Sequence, residues 1–311
     1  MSQEPTYASD ERGANGRTER IVELLTSTGE RAGTALVYSS AYLAAIATVE
    51  VAIAMALLSL SPNPAPVVVG LVTFAVYTND RVADADTDAV SDPERAAFVR
   101  RHRDALYLLA SIAYGLAVAI SVLGGPVALA VTLLPGVFWV AYAADWIPNV
   151  SPHVRRLKEV LVVNSLVVAL AWATTLTALP VAFTDAAITP GTAVVFAYFL
   201  LRSFVDTEIP NVGDIEADRA IGVATLPVAF GVPATRRALY AVDLLTVVLV
   251  AAAVVTGVLA TGPAVALGAG VAYSLVVTGL LGRVDTDALE LASECEYLVV
   301  AAALVGPLLV A

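Results

Sequence analysis

"APVVVGLVTFAVYTNDRVADADTDAVSD" runs from Ala65 to Asp92. An apolar stretch over 65–83 gives way to five aspartates within the thirteen residues from Asp80 to Asp92. A helix needs roughly 20 apolar residues to cross a bilayer, so the stretch reads as a span and the aspartates as its polar exit. Eight further runs of similar character follow the same pattern, at about 36–60, 105–124, 126–145, 159–180, 190–208, 237–258, 263–282 and 290–310. Of the 311 residues, 59% are hydrophobic and 14% charged, against about 25% charged in a soluble domain. The Gly and Pro inside the runs are tolerated in membrane helices. The predicted fold is an all-α integral membrane bundle of nine transmembrane helices.

Two units are expected: a polar tail over 1–34 and a membrane domain over 35–311. The tail has no apolar core of the kind a signal peptide needs; "RIVELLTS" within it suits a surface helix. Connections alternate in charge. "SPNPAP", "GGP", the 181–189 connection and "TGP" carry no Lys or Arg, whereas the tail, 84–104, 146–158, 209–237 and the connection holding Arg283 carry nearly all of them. The positive-inside rule puts this second set, the N-terminus and the acidic exits in the cytoplasm, so the expected location is the cell membrane with any site facing the cytoplasm.

The net charge is −11, and Lys158 is the sole lysine beside sixteen arginines. That acidic balance excludes nucleic acid as a partner, because nucleic acid needs a basic face, and suggests a salt-loving source. Cys295 is the one cysteine, which excludes an intrachain disulfide; it reads as a small buried side chain in the last helix. His102 and His153 lack metal-ligand spacing and read as solvated loop residues.

Asp80, Asp84 and Asp88 are spaced four apart and stack on one arc of a helix over two turns, with Asp86 on the other side. Carboxylates gathered on one face repel unless a cation lies among them, and Mg²⁺ favours one or two carboxylates together with water and substrate phosphate. A halophilic acidic surface without a ligand fits this cluster alone equally well. The second cluster, "FVDTEIPNVGDIEADRAIGVATLPVAFG" from Phe204 to Gly231, repeats the spacing at Asp214 and Asp218 just past the sixth run. Two such patches on one side of a bundle suit a pair of Mg²⁺ ions clamping a diphosphate, a leaving group that metals neutralise.

The pair of motifs resembles the UbiA superfamily of intramembrane prenyltransferases, which carries NxxxDxxxD after the second helix and DxxxD after the sixth. "DIEADRAIGVATLPVAFG" is close to the second motif, including the Gly-x-x-Thr-Leu-Pro continuation at Gly222 to Pro227. The first motif departs from the pattern: with Asp84 and Asp88 in register, Asp80 stands where Asn is usual, and Asn79 is one residue early. The resemblance implies metal ligation by Asp80, Asp84, Asp88, Asp214 and Asp218, with Asp80, Asp84 and Asp214 central to catalysis. It also implies a diphosphate contact from Lys158 in "RRLKEVLVVN", with Asn164 nearby; a positive-inside anchor explains Lys158 and its arginines as well. Arg81 and Arg219 either reach phosphate or pair with adjacent acids. Tyr77 and Asn79 precede the first cluster and are candidates to line the site, since a ring face attracts an allylic cation; an interface anchor is the competing reading of Tyr77. Arg202 lies inside the sixth run and should face the bundle interior, with Asp206 and Glu208 as expected partners. Glu50, inside the first run, pairs across helices, accepts a proton, or marks an acceptor pocket. "SDPE" reads as a capping box with Ser91 as the cap, opening a short helix through "RAAFVRRH" that the resemblance places over the active site; a surface helix with no gating role fits the residues equally well.

The expected activity is Mg²⁺-dependent transfer of an isoprenyl group from a polyprenyl diphosphate, of geranylgeranyl type, to a lipophilic acceptor: a quinone precursor, a glycerol ether lipid or a carotenoid, drawn from the membrane lipid phase. The alternative is a transporter or other non-catalytic membrane protein with halophilic acidic loops. Transporters bind near the bilayer midplane, whereas both clusters here sit at helix ends.

Overall fold

The computed structural model describes residues 33–86, 88–90, 92–143 and 163–310. The helices, in chain order, are α1 (Ala41–Leu57), α2 (Ala65–Asp84), α3 (Pro93–Arg101), α4 (Arg103–Ser121), α5 (Gly125–Ala143), α6 (Val163–Thr184), α7 (Pro190–Glu208), α8 (Ile215–Ile221), α9 (Leu226–Phe230), α10 (Val232–Val255), α11 (Thr261–Leu280), α12 (Thr286–Glu294) and α13 (Glu296–Val310). Nine of these are at least 15 residues long. They fall on the nine apolar runs, and four helical segments, Arg103–Val140, Ser165–Thr184, Val232–Val255 and Thr261–Leu280, are long and apolar enough to cross a membrane.

Local chemistry sets the ends. Prolines open α2, α3, α7, α9 and α10, where a missing N–H costs nothing. Thr189 and Thr192 cap α7 reciprocally. At α3 the cap is Asp92, whose side chain accepts from the Arg95 N–H, rather than the expected Ser91; the register shifts by one because Pro93 takes the first helical position. The expected two-turn stack of aspartates is also revised. α2 ends at Asp84, and Asp88 opens a separate 3₁₀ turn, Asp88–Val90. Carboxylates at a helix C-terminus oppose its dipole, which disfavours carrying the helix through "DADTD". The last run breaks as well. Its helix ends at Glu294 and restarts at Glu296, with Cys295 between them partly exposed rather than buried in mid-helix.

Neighbours in space follow a closed circuit: α1 on α2, α2 on α5, α5 on α6, α6 on α7, α7 on α10, α10 on α11, α11 on α13, and α13 back on α1. α4 packs outside α2. It buries the stripe Leu106, Ala110, Ala113 and Ala117 while Leu108, Leu109, Ile112 and Leu116 are each about half exposed. Small residues inward and large apolar residues outward is the arrangement of a lipid-facing helix. Between α1 and α2 the backbone approach is closer still: a Cβ on Gly70 would lie 2.5 Å from Thr48 Oγ1.

The interior is layered along the bundle. Val68, Val69 and Val72 from the first half of α2, Leu176 and Leu179 from the second half of α6, and Val195 and Phe199 from the first half of α7 form one apolar core with Val51 and Ala54. The opposite halves of these helices surround a cavity. The core therefore closes one end of the bundle, and the cavity opens at the end where both aspartate motifs emerge.

Candidate active site

The cavity has a volume of about 360 Å³, within the range of roughly 300–1,000 Å³ common for small-molecule sites. α2 supplies Tyr77, Asp80 and Arg81 to its wall, the 3₁₀ turn supplies Asp88, and α3 supplies Arg95. The α7 end supplies Asp206, Asn211 and Asp214, while Glu290 and Glu294 come from α12. Asp80, Asp88 and Asp214 from the two motifs thus face one space.

The second motif owes its shape to its glycine and threonine. Gly222 takes a left-handed conformation (φ 76°) and ends α8, a position open to glycine at little steric cost. Thr225 then caps α9 and donates from its hydroxyl to Asp218 Oδ2 at 3.2 Å. The Gly-x-x-Thr-Leu-Pro pattern is a stop, a turn and a restart that hold Asp218 in place. Asp214 caps α8 through its carbonyl, which accepts from the Asp218 N–H at 2.8 Å, and its carboxylate makes no capping bond.

In the first motif, Asp80 accepts from Trp139 Nε1 at 3.1 Å. Asp84 is exposed at the helix end, and Asp86 points away to Arg100 at 3.5 Å. Burial pushes the Asp88 carboxyl from its ordinary 3.8 up to about 6; Arg95 opposes this, while Asp84 and Asp214 add to it. Burial, with Asp214 next, raises Asp218 to about 6 as well. Burial accounts for most of both shifts, and the Asp214 charge adds a smaller repulsion on Asp88 across the motifs, which a cation would relieve. Among the described residues, no three side chains of the metal-binding types form a ready ligand group. The donor set is nevertheless all oxygen and drawn from two motifs, which fits Mg²⁺, an ion that takes one or two carboxylates and fills its remaining positions with water and phosphate.

The raised carboxyls give a signed pH dependence. A folded chain whose carboxyls titrate near 6 binds more protons between pH 6 and 4 than the unfolded chain, so the metal-free protein gains stability as pH falls through that window. Mg²⁺ needs the ionised forms. We expect Mg²⁺ to raise the melting temperature clearly at pH 8 and hardly at pH 5, measured by thermal unfolding in detergent.

Tyr77 stacks on Trp172, ring centroids 5.7 Å apart and 12° from parallel, and both line the cavity. Arg81 hydrogen-bonds the Val37 carbonyl and pairs with Glu290 of α12 at 3.9 Å. Arg95, unmarked in the sequence, pairs loosely with Asp92 at 3.5 Å and Glu290 at 3.9 Å, and its buried Nε has no hydrogen-bond partner among the described residues. Asn79 donates back to the Ala75 carbonyl and is not among the cavity-lining residues. Arg219 is exposed on α8. Lys158 and the side chain of Asn164 lie outside the described residues.

Arg202 stands apart from the cavity. It is fully buried and donates to Asp243 Oδ1 at 2.6 Å, to Glu296 at 2.8 and 2.7 Å, and to Ser274 at 2.5 Å. The expected partners go elsewhere: Asp206 accepts from Tyr297 and Glu208 from Ser165. The fork reaches across α10, α11 and α13 because those helices close around α7, an adjacency that no local pattern in α7 encodes.

The sequence profile of the UbiA prenyltransferase family matches residues 37–290. The chain belongs to the UbiA prenyltransferase family. No curated protein matches it by sequence. Solved UbiA homologues share the fold at low identity. The apo UbiA homologue of Aeropyrum pernix K1 has a TM-score of 0.64 at 18% identity, with 85% of this chain and 97% of that chain covered. The Archaeoglobus fulgidus homologue bound to GPP and Mg²⁺ gives 0.61 at 16%, covering 87% and 99%. A digeranylgeranylglyceryl phosphate synthase gives 0.58 at 14%, covering 89% and 98%. This UbiA-family chain is therefore a prenyltransferase with the family's membrane fold.

Proposed function

We propose that this chain is a Mg²⁺-dependent intramembrane enzyme that moves an isoprenyl group from a polyprenyl diphosphate to a lipophilic acceptor. One observation carries the reading: Asp80 and Asp88 of one motif and Asp214 of the other line the same cavity as Arg81 and Arg95. Asp80, Asp84, Asp88, Asp214 and Asp218 would hold Mg²⁺, which neutralises diphosphate as it leaves. The diphosphate sits at the mouth, and Arg95 contributes a charged fork of the kind that suits phosphate. The Tyr77–Trp172 pair presents ring faces to the allylic carbon, where they stabilise positive charge, and the closed apolar core keeps out water that would quench it. The GPP-bound homologue and the synthase neighbour support an isoprenoid diphosphate, with geranylgeranyl the favoured length. In this reading all nine long helices cross the cell membrane and the mouth faces the cytoplasm, supported by the distribution of basic connections.

The test is conversion of labelled geranylgeranyl diphosphate by purified protein with and without Mg²⁺. Release of diphosphate that stops on chelation is the expected result; release indifferent to Mg²⁺ would refute the reading. Arg95→Gln is expected to raise KM for the diphosphate about 10–100-fold with a smaller change in kcat, since it removes binding shared by ground and transition states. Arg95→Lys should recover only part, having lost the planar fork.

A further inference from the structure

The deep half of the cavity differs chemically from its mouth. Residue order along each helix sets the depth: Glu50 on α1, Thr73 on α2, Trp172 on α6 and Asp206 on α7 lie toward the apolar core, and Glu294 joins them from α12. Asp206 lies within α7, whereas Asp214 comes six residues after that helix ends at Glu208. Two polar groups here lack partners among the described residues. Thr73 is 3% exposed, yet its hydroxyl makes no hydrogen bond. Asp206 accepts from the Tyr297 hydroxyl at 2.6 Å through Oδ2, and its Oδ1 is buried with no partner. Glu50 lies against the same tyrosine. The two arginines that line the cavity, Arg81 and Arg95, belong to its mouth, and Arg202 is sealed among its own carboxylates.

A buried hydroxyl and a buried carboxylate oxygen left unpaired are costly, and both face a cavity with room for a ligand. Glu50, Asp206 and Glu294 gather here, and Arg202, the charge nearest Asp206, is held by Asp243 and Glu296; among the described residues no cation is free at this depth to pair with an anionic group. We propose that the deep end is the acceptor site, that it takes an uncharged hydroxyl-bearing end of a lipid (a phenol, hydroquinone or alcohol), and that Asp206 is the base that removes the acceptor's proton. The inference rests on the prenyl-transfer reading above. The allylic C–O bond breaks and its electron pair leaves with the diphosphate. The acceptor's electrons, on oxygen or on the ring carbon it activates, close the new bond. The displaced proton passes to Asp206 and departs through the mouth with the products. Thr73 holds the hydroxyl and Tyr297 fixes Asp206.

The experiment uses the full chain in lipid nanodiscs with geranylgeranyl diphosphate, Mg²⁺ and three acceptors: a neutral naphthohydroquinone, an anionic glyceryl-phosphate ether lipid and a hydrocarbon polyene. Wild type should couple the hydroquinone in preference to the others. Asp206→Asn should keep Mg²⁺-dependent binding of the diphosphate and lower coupling about 10²–10⁴-fold, the range for loss of a general base. Its diphosphate release should then outrun coupling, with geranylgeraniol as the surplus product. A global folding defect would lower release and coupling together, and Tyr297→Phe, which keeps the ring, should show the split in weaker form. Asp206→Asn coupling at the wild-type rate would overturn the proposal, as would wild-type preference for the anionic lipid or the polyene. An Asp206→Asn chain too unstable to assay leaves Tyr297→Phe to decide: an unchanged ratio of release to coupling overturns the proposal. Wild type that neither binds nor cleaves the diphosphate would remove the prenyl-transfer reading itself, a result distinguishable from the others.

Discussion

Asp214→Asn is expected to lower Mg²⁺-dependent diphosphate release at least 10²–10³-fold, about 3–4 kcal/mol of transition-state stabilisation, as for loss of one preorganised electrostatic partner. The substitution keeps side-chain size and the backbone carbonyl that accepts from Asp218, and the carboxylate does no capping work. Thermal unfolding without Mg²⁺ should therefore match wild type, while the stabilisation by Mg²⁺ shrinks. Asp86→Asn is the matched control. That carboxylate is turned to solvent and to Arg100, and its loss should leave turnover within about twofold, since exposed ion pairs are worth roughly 0–1 kcal/mol. Equal losses in the two variants would mean that the chain responds to bulk negative charge and not to a site.

Arg202→Met is the second large effect, and it falls on the fold. The guanidinium holds Asp243 and Glu296 at 2.6 and 2.7 Å with all three side chains 0–1% exposed. Removing one member of a buried ion pair costs about 3–5 kcal/mol, because it strands the remaining charge; here two carboxylates are stranded. The packing leaves no room for repair, since a Cβ on the neighbouring Gly270 would already lie 2.5 Å from Val300 and 3.2 Å from Glu296. The expected result is loss of monodisperse protein on extraction. The triple variant Arg202→Met, Asp243→Leu, Glu296→Met should recover most of the folded fraction, as apolar replacement of whole buried networks does. A single variant that stays folded with an unchanged melting temperature would show that the network is not what joins α7 to α10 and α13.

Much of the helical architecture was legible because a bilayer imposes one rule, about 20 apolar residues per crossing: among the described residues every run carries a helix of at least 15 residues, and four helical segments are long and apolar enough to cross. Local motifs were legible too, since a Gly stop and a Thr-Leu-Pro restart act within ten residues. What escaped were relations between distant elements. Nothing in the sequence marked Arg95, and its place in the cavity depends on how α3 folds back over α2. Glu294 and Glu296 fall within one apolar run of the sequence, 290–310. The break at Cys295 sends one to the cavity and the other to Arg202. Glu50 carried three readings in the sequence because a lone intramembrane acid says only that something faces it, not what. Asp88 was placed on the right side of the bundle but on the wrong element, because the repeat of four persists beyond the residue at which the helix ends.

The most direct measurement is a double-mutant cycle on binding of geranylgeranyl thiolodiphosphate with Mg²⁺, using wild type, Asp88→Asn, Asp214→Asn and the double variant in nanodiscs. If aspartates from the two motifs clamp a single ligand, each single variant loses at least tenfold in affinity and the double variant loses much less than the product of the two, as expected for groups acting on one site. Independent, multiplying losses, or a variant that binds as wild type does, would contradict a shared site.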